Sequence, residues 1–380
     1  MVSIAHAIGY VFLALAGGGV AYTVASAEVV SRKLSAAVVT DSTDTPVSLI
    51  KPLYGLEPQL AQDLTGFIRQ DYRAPVQMLI GLQDPDDPAR AVAEQVRAAE
   101  PGADIQVIVD ARAHGANSKV SNLINIASHA SHELLVLSDS DIAVGPDYLR
   151  RVAAAAAEPG VGVVTCLYFG QGRNGFWSRL AAMGISYGFL PNVALGVAVG
   201  AAQPCMGSTI ALRRQVLDEI GGFAAFAEVL ADDYELGRAV RAKGYRAAIP
   251  PFAVAHGCSE ATLGELFDHE LRWAVTVRVL SPAGHIGSLV THPMPLALIA
   301  SVFLSASPWS LVVLALAIVS RYWLVSRVDR AVGVSSGPWQ MLPLRDMLSF
   351  GVFLASLPAR SVRWRGARHR IASNGTLSPT

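Results

Sequence analysis

Carboxylates gather at three places where an apolar run gives way to a polar loop: Asp84, Asp86 and Asp87; Asp139 and Asp141; Asp232 and Asp233. Moving a sugar off a diphosphate carrier calls for such groups. One set orients the nucleoside, a second holds the cation that neutralises the leaving diphosphate, and a third takes the proton of the attacking hydroxyl. Asp139-Ser140-Asp141 comes directly after Leu134-Leu135-Val136-Leu137, which reads as a buried parallel strand. The pair therefore emerges at the carboxyl edge, where open α/β sheets bind ligands. Two hard oxygen ligands one residue apart suit Mg²⁺ or Mn²⁺. Each set alone is more simply a cap or turn: Asp87 precedes Pro88 as an N-cap would, and Asp232-Asp233 opens a predicted helix. Their coincidence in one α/β domain argues for chemistry.

At that helix start a carboxylate is expected to have a lowered pKa, which suits an ionised base at Asp233. Upstream, Gly207 and Ser208 lie beside a short strand, small enough to let backbone N–H groups approach a sugar or acceptor. Further on, His269-Glu270-Leu271-Arg272-Trp273 falls on a predicted helix. Arg272 can pair with phosphate oxygens and Trp273 can stack on a ring, the alternative being a solvated surface pattern.

The elements that must position these residues alternate. Strands are predicted at Val47–Leu53, Val76–Leu82, Ile105–Val109, Leu134–Leu137 and Val161–Leu167, with helices at Leu60–Arg69, Ala89–Ala99 and Val120–Ala130. This is an α/β fold with a doubly wound, mostly parallel sheet. Neither a Gly-x-Gly-x-x-Gly after the first strand nor a Walker loop is present. Gly175 to Ala202 is unusually apolar, and reads either as a core helix pair or as an amphipathic segment on a membrane, shaping access for a lipid.

The 380 residues are 52% hydrophobic and 16% charged, with mean hydropathy +0.39, so part of the chain is expected in lipid. A net charge of zero carries no signature of nucleic-acid binding. Cys166, Cys205 and Cys258 are too few and scattered for a disulfide framework or zinc site. Ile4–Ala27 is long enough to span a bilayer, and Arg32 and Lys33 after it place the next segment in the cytoplasm. Ile286–Val325, broken at Ser305-Ala306-Ser307-Pro308, predicts a hairpin of two spans. Met347–Leu357 is short for a span and reads as interfacial or re-entrant. A tail bearing Arg360, Arg363, Arg365, Arg368 and Arg370 would then touch anionic lipid. The expected division is an N-terminal span over 1–30, a cytoplasmic domain over 46–285, a membrane region over 286–358 and a basic tail over 359–380.

Together, Val47-Ser-Leu-Ile-Lys-Pro-Leu, Gln83-Asp-Pro-Asp-Asp-Pro-Ala, Asn117-Ser-Lys-Val-Ser-Asn-Leu, Asp139-Ser-Asp, Gly221-Gly-Phe through Ala231-Asp-Asp-Tyr, and His269-Glu-Leu-Arg-Trp resemble the ceramide glucosyltransferase-like family of membrane glycosyltransferases with the GT-A fold. The resemblance covers roughly Val47 to Pro295. It implies a UDP-sugar donor, with Asp84 and Asp87 on the nucleotide side, Asp139 and Asp141 as metal ligands, and Asp233 as catalytic base. Arg272 and Trp273 match the family's Arg-Trp signature, which usually opens with Gln or Arg where this chain has His269. Lys51 and Lys119 lie inside matched motifs and are candidates to meet phosphate. Gly175-Phe-Trp-Ser-Arg-Leu, Gly188-Phe-Leu-Pro and Val290-Thr-His-Pro resemble the bacterial branch associated with hopanoid biosynthesis. That branch implies transfer of N-acetylglucosamine to bacteriohopanetetrol at the bacterial inner membrane; the other branch puts glucose on ceramide. A processive polysaccharide synthase, with Gln-x-x-Arg-Trp and more spans, and a non-catalytic sugar-nucleotide binder are the competing readings.

Overall fold

The apolar N-terminal run forms one helix, α1 (Ile4–Leu34), in a computed structural model that describes residues 4–36, 44–359, 361–364, 367–371 and 377–379. Lys33 Nζ donates to the Ile249 carbonyl at 2.6 Å and ties the end of α1 to the α/β domain.

That domain opens with β1 (Val47–Pro52), α2 (Leu60–Ile68), β2 (Val76–Leu82), α3 (Ala89–Ala99), β3 (Asp104–Val109), α4 (Ser118–Ala127) and β4 (Leu134–Leu137). It continues through β5 (Ile142–Ala143), α5 (Tyr148–Ala157), β6 (Val161–Val164), β7 (Leu167–Gly172), α6 (Gly175–Gly184), a π-helical turn at Ile185–Phe189 and α7 (Leu190–Ala198). Then come β8 (Ile210–Arg213), α8 (Arg214–Glu219), α9 (Asp232–Ala242), β9 (Arg246–Ala248) and β10 (Ala253–Cys258). Seven strands make one sheet in the order β3-β2-β1-β4-β8-β6-β9. The four on the β3 side are mutually parallel, β8 runs antiparallel to both neighbours, and β9 is parallel to β6. Strands β1 and β4 are buried along their whole length, because helices cover both faces of the sheet. This is the doubly wound, parallel-dominated α/β sheet that the alternation implies.

The strand expected over Val161–Leu167 is two strands. β6 belongs to the large sheet and β7 to a second one of order β5-β10-β7. The chain changes sheets at Thr165-Cys166: the Thr165 N–H still bonds the Ala248 carbonyl at 2.9 Å, whereas Leu167 already pairs with Ala253 of β10. A continuous apolar run records burial and is silent about which sheet receives each half.

The C-terminal region comprises α10 (Leu263–Leu280), α11 (Pro282–Gly287), α12 (Pro293–Phe303), α13 (Pro308–Val332) and α14 (Leu342–Ser356). Three helices among the described residues are long and apolar enough to cross a membrane: α1, the continuous Gly175–Ala198 and α13. The most apolar stretch of Gly175–Ala198 is 61% buried, against 17% for α1 and 33% for α13, so it packs chiefly inside the protein. The first leg of the expected hairpin is not straight. Pro282–Thr291 and Pro293–Phe303 meet at a 69° bend, at His292, where Pro293 lacks an N–H and disfavours the helical conformation in the residue before it. α1 packs closely on this break: a Cβ on Gly19 would lie 2.4 Å from the Val290 carbonyl oxygen. With 15 residues, α14 is shorter than the roughly 20 a span needs. The tail forms a small antiparallel sheet of β11 (Ser361–Trp364), β12 (Ala367–Ile371) and β13 (Leu377–Pro379); Arg360 and Arg365 lie outside the described residues.

Candidate active site

Three neighbouring parallel strands, β2, β1 and β4, end at one edge, and the loops there carry two of the acidic sets. Asp139 leaves β4 with its N–H donating to the Gly207 carbonyl at 3.2 Å. Lys119, in the first turn of α4, places Nζ 2.6 Å from Asp139 Oδ1 and 3.7 Å from Asp232 Oδ2. Asn117 starts that helix by accepting from the Val120 N–H at 3.2 Å, while its amide donates to the Val229 carbonyl at 2.8 Å and to Asp232 Oδ1 at 3.3 Å. One cap therefore sets α4 and the start of α9 against each other, and brings Asp232-Asp233 to Asp139 across more than ninety residues of chain.

Asp233 is half-buried and held by backbone: Oδ2 accepts from the Gly207 N–H at 2.9 Å and Oδ1 from the Tyr234 N–H at 2.7 Å. The Gly207 N–H expected to face a ligand is thus committed to Asp233. A Cβ at residue 207 would fall 2.5 Å from Asp139 Oδ2 and 3.2 Å from Lys119 Nζ, so a larger residue would push both charged groups from their places. The lowered pKa expected of Asp233 is also corrected. Burial, and then the Asp232 charge, push its carboxyl up to about 6, against the opposing influence of Lys119 and the Tyr234 N–H. Local helix-end electrostatics lose to tertiary burial beside a second carboxylate. Burial works against the charged form of Lys119, but Asp139, Asp232 and Asp233 outweigh it and raise its pKa above that of an ordinary lysine.

Asp141 faces a different wall. Its Oδ2 is 3.2 Å from His256 Nε2 in β10, and its carbonyl accepts from the Gly257 N–H at 2.7 Å. Its Oδ1 is buried without a hydrogen-bond partner among the described residues. Behind it, Tyr168 stacks between His256 (ring centroids 5.5 Å apart) and Phe189 (4.7 Å).

Lys51 is fully buried, donates to the Asp139 carbonyl and lies over the Phe67 ring at 4.0 Å. Burial pulls its pKa down to about 8 despite the nearby Asp141 and Asp139 charges. It props the end of β4 from beneath, and contact with a phosphate is closed to it.

On α10, Arg272 is half-buried, and its guanidinium makes no hydrogen bond or ion pair among the described residues. Burial lowers its pKa, while Asp139, Asp233 and Asp141 act in the opposite sense, which places it within their field. Trp273 packs among protein rings, 4.4 Å from His269, 6.1 Å from His256 and 6.4 Å from Phe189. His269, the departure from the expected signature, has Nδ1 2.7 Å from the buried Glu260 Oε1 and so fixes one edge of Trp273. Glu270 is not a solvated residue: it forms a buried two-point pair with Arg345 of α14, at 2.7 and 2.6 Å. Asp84 and Asp87 sit at the same sheet edge but engage backbone. Asp87 accepts from the Gly55 N–H at 2.9 Å and the Ala89 N–H at 2.8 Å, and exposed Asp84 accepts from the Asp86 N–H at 2.9 Å.

The model of glycosyl transferase family 21 matches residues 10–377, nearly the whole chain. The chain belongs to glycosyl transferase family 21. Two ceramide glucosyltransferases of Caenorhabditis elegans are similar along its length. Ceramide glucosyltransferase 1 is 23% identical over 350 residues, covering 89% of this chain and 74% of the relative. Ceramide glucosyltransferase 3 is 24% identical over 360 residues, covering 89% and 75%. A mannosyltransferase from Pyrobaculum calidifontis, solved with GDP-Man and Mn²⁺, shares the fold with a TM-score of 0.52 at 20% identity, over 93% of this chain and 99% of that one. This family 21 member is a glycosyltransferase with a GT-A-type fold.

In this glycosyltransferase, sequence reasoning missed His256, Tyr168 and the capping role of Asn117, and it assigned the Gly207 N–H to a ligand where it holds Asp233. The one signal for His256 was a lone polar residue in the otherwise apolar strand Ala253–Cys258. Its contact with Asp141 depends on β5 pairing with β10, more than a hundred residues away.

Proposed function

We propose that this family 21 enzyme moves a sugar from UDP to a hydroxyl of a membrane lipid by single displacement, with inversion at the anomeric carbon. The observation that carries the reading is the half-buried Asp233 carboxylate, held by two backbone N–H groups and raised to about 6, in the same cluster as Asp139 and Lys119. Asp233 takes the lipid hydroxyl's proton as that oxygen bonds to the anomeric carbon. The bond from this carbon to the diphosphate oxygen breaks, and its electron pair leaves with UDP. Glycosylated lipid and UDP depart, and Asp233 returns its proton to water. Arg272 and Lys119 meet the charge growing on the leaving diphosphate. Trp273 borders the donor, and Asp87, tied to Gly55, holds the loop beside the nucleoside together with Asp84.

Asp139 and Asp141 fit a divalent cation of the Mg²⁺ or Mn²⁺ type: both offer hard oxygens, and Asp141 Oδ1 is buried with no other partner among the described residues. No group of three or more His, Cys, Asp or Glu gathers for a metal among the described residues, so Asp139 and Asp141 are the residues that would hold the ion. Such an ion, when bound, adds positive charge opposite the leaving diphosphate. The Mn²⁺ bound with GDP-Man in the P. calidifontis mannosyltransferase supports this.

The sequence resemblance supports N-acetylglucosamine as the sugar and bacteriohopanetetrol as the acceptor, at the bacterial inner membrane. Residues 46–285 then form the catalytic domain facing the cytoplasm, between the span over 1–30 and the membrane region over 286–358, with the tail over 359–380. Arg32 and Lys33 after α1 support that orientation. A second reading, glucose on ceramide, is favoured by the two C. elegans relatives. Deleting the gene and profiling lipids by mass spectrometry separates them. Loss of glycosylated hopanoid supports the first, loss of hexosylceramide the second, and no change in either lipid contradicts both.

A further inference from the structure

A cavity of about 260 Å³ lies where the membrane-associated helices meet the catalytic domain. Its walls come from α1, the α6–α7 stretch, α10, the bent α11–α12 segment, α13 and α14. Apolar groups such as Phe189, Leu324, Val352 and Phe353 share the lining with Asn192, Ser288, Thr291 and His292. Two buried two-point ion pairs border it as well: Arg321 with Asp346 at 2.8 and 2.7 Å, and Arg345 with Glu270 at 2.7 and 2.6 Å. A half-open chamber between largely apolar helices, furnished with hydroxyls, an amide and an imidazole, suits a polar group carried on an apolar body.

The chamber also reaches the proposed chemistry. Trp273 is part of its wall, and Arg272, its neighbour along α10, lies in the field of Asp139, Asp141 and Asp233. Phe189, on another wall, stacks on Tyr168, which stacks on His256, whose Nε2 meets Asp141. One chain of ring contacts thus runs from the cavity to Asp141, and Trp273, 6.1 Å from His256, borders it.

We propose that this chamber is the acceptor subsite: it takes the hydroxyl-bearing head of a membrane lipid, while the lipid's apolar body stays among α1, α12 and α13. The inference rests on the lipid-acceptor reading above and deepens it by placing the acceptor. Asn192, Thr291 and His292 face the head and select acceptors by its hydroxyls. Trp273 forms part of the chamber wall beside the donor.

Gly188 offers the test. It lines the chamber, and a Cβ there meets nothing within 4 Å, so the side chain of Gly188→Leu starts into open space. Asn192→Leu, a second variant at similar volume, removes one polar lining group. The full chain in lipid nanodiscs is assayed for transfer to bacteriohopanetetrol and to ceramide, and for UDP binding by calorimetry. For whichever lipid the wild type glycosylates, each variant should raise the acceptor KM at least about tenfold, a modest loss of binding free energy. UDP affinity should stay within about twofold of wild type, which also reports folding. Wild-type acceptor KM in both variants, with transfer intact, overturns the placement alone. A wild-type protein that binds UDP yet glycosylates neither lipid overturns the lipid reading, and the placement falls with it.

Discussion

At the residue scale the account turns on Asp233. Because burial and Asp232 raise its pKa to about 6, the proton acceptor is empty above that pH and filled below it. kcat/KM should therefore rise with pH through about 6 and level off above. Asp232→Asn removes the neighbouring negative charge and should move this acid limb to lower pH, a shift read from the pH–rate profile. The limb belongs to the coupled carboxylates as a group, so the direction of its movement is the diagnostic quantity. The cation is tested separately. EDTA should abolish transfer and Mn²⁺ or Mg²⁺ restore it, and Asp141→Asn should raise the Mn²⁺ concentration needed for half-maximal rate. Of this site, Asp139, Asp141 and Asp233 were legible as carboxylates at element ends. The pKa of Asp233 and the burial of Lys51 were not, since both depend on neighbours brought together by folding.

At the scale of elements, two joints hold the site. The first is Asn117, which caps α4 and reaches Val229 and Asp232 at the start of α9. Asn117→Ala should cost about 1 kcal/mol for the cap alone. It should also lower kcat, because Asp232 loses its amide partner; thermal unfolding and steady-state kinetics read the two effects. The second is the Arg345–Glu270 pair, which fastens α14 to α10, the helix of Arg272 and Trp273. Arg345→Leu leaves a buried carboxylate without its partner and should destabilise the protein by about 3–5 kcal/mol. Adding Glu270→Leu should recover much of that loss, as seen in melting of the detergent-solubilised chain. Individual elements were readable where burial imposes a pattern, as in β1 and β4. The split of Val161–Gly172 between sheets and the bend at His292-Pro293 were not, because each depends on which partner receives the segment. Arg345 and Glu270, far apart in sequence, carried no local sign of their pairing.

On the scale of the whole molecule, α1 is more than an anchor. Its small residues let it pack on the α11–α12 break, and Lys33 fixes its end to the catalytic domain. The membrane helices and the sheet edge thus form one body with the proposed acceptor chamber at their junction. The doubly wound domain and the apolar ends were plain from alternation and hydropathy; the way they share a cavity emerges only from their packing. The central claim is that a hydroxyl activated by Asp233 attacks the anomeric carbon of a UDP-sugar, and one measurement reaches it directly. The purified full chain in nanodiscs is given isotope-labelled UDP-N-acetylglucosamine or UDP-glucose with each candidate lipid. The product is analysed by mass spectrometry and by NMR at the anomeric proton, for wild type and Asp233→Asn. The account predicts a glycolipid of inverted anomeric configuration from the wild type. It predicts a rate reduced by about 10²–10⁴ in the variant, with UDP-sugar affinity preserved. A product that retains the donor's configuration, or a variant that turns over at the wild-type rate, would contradict it.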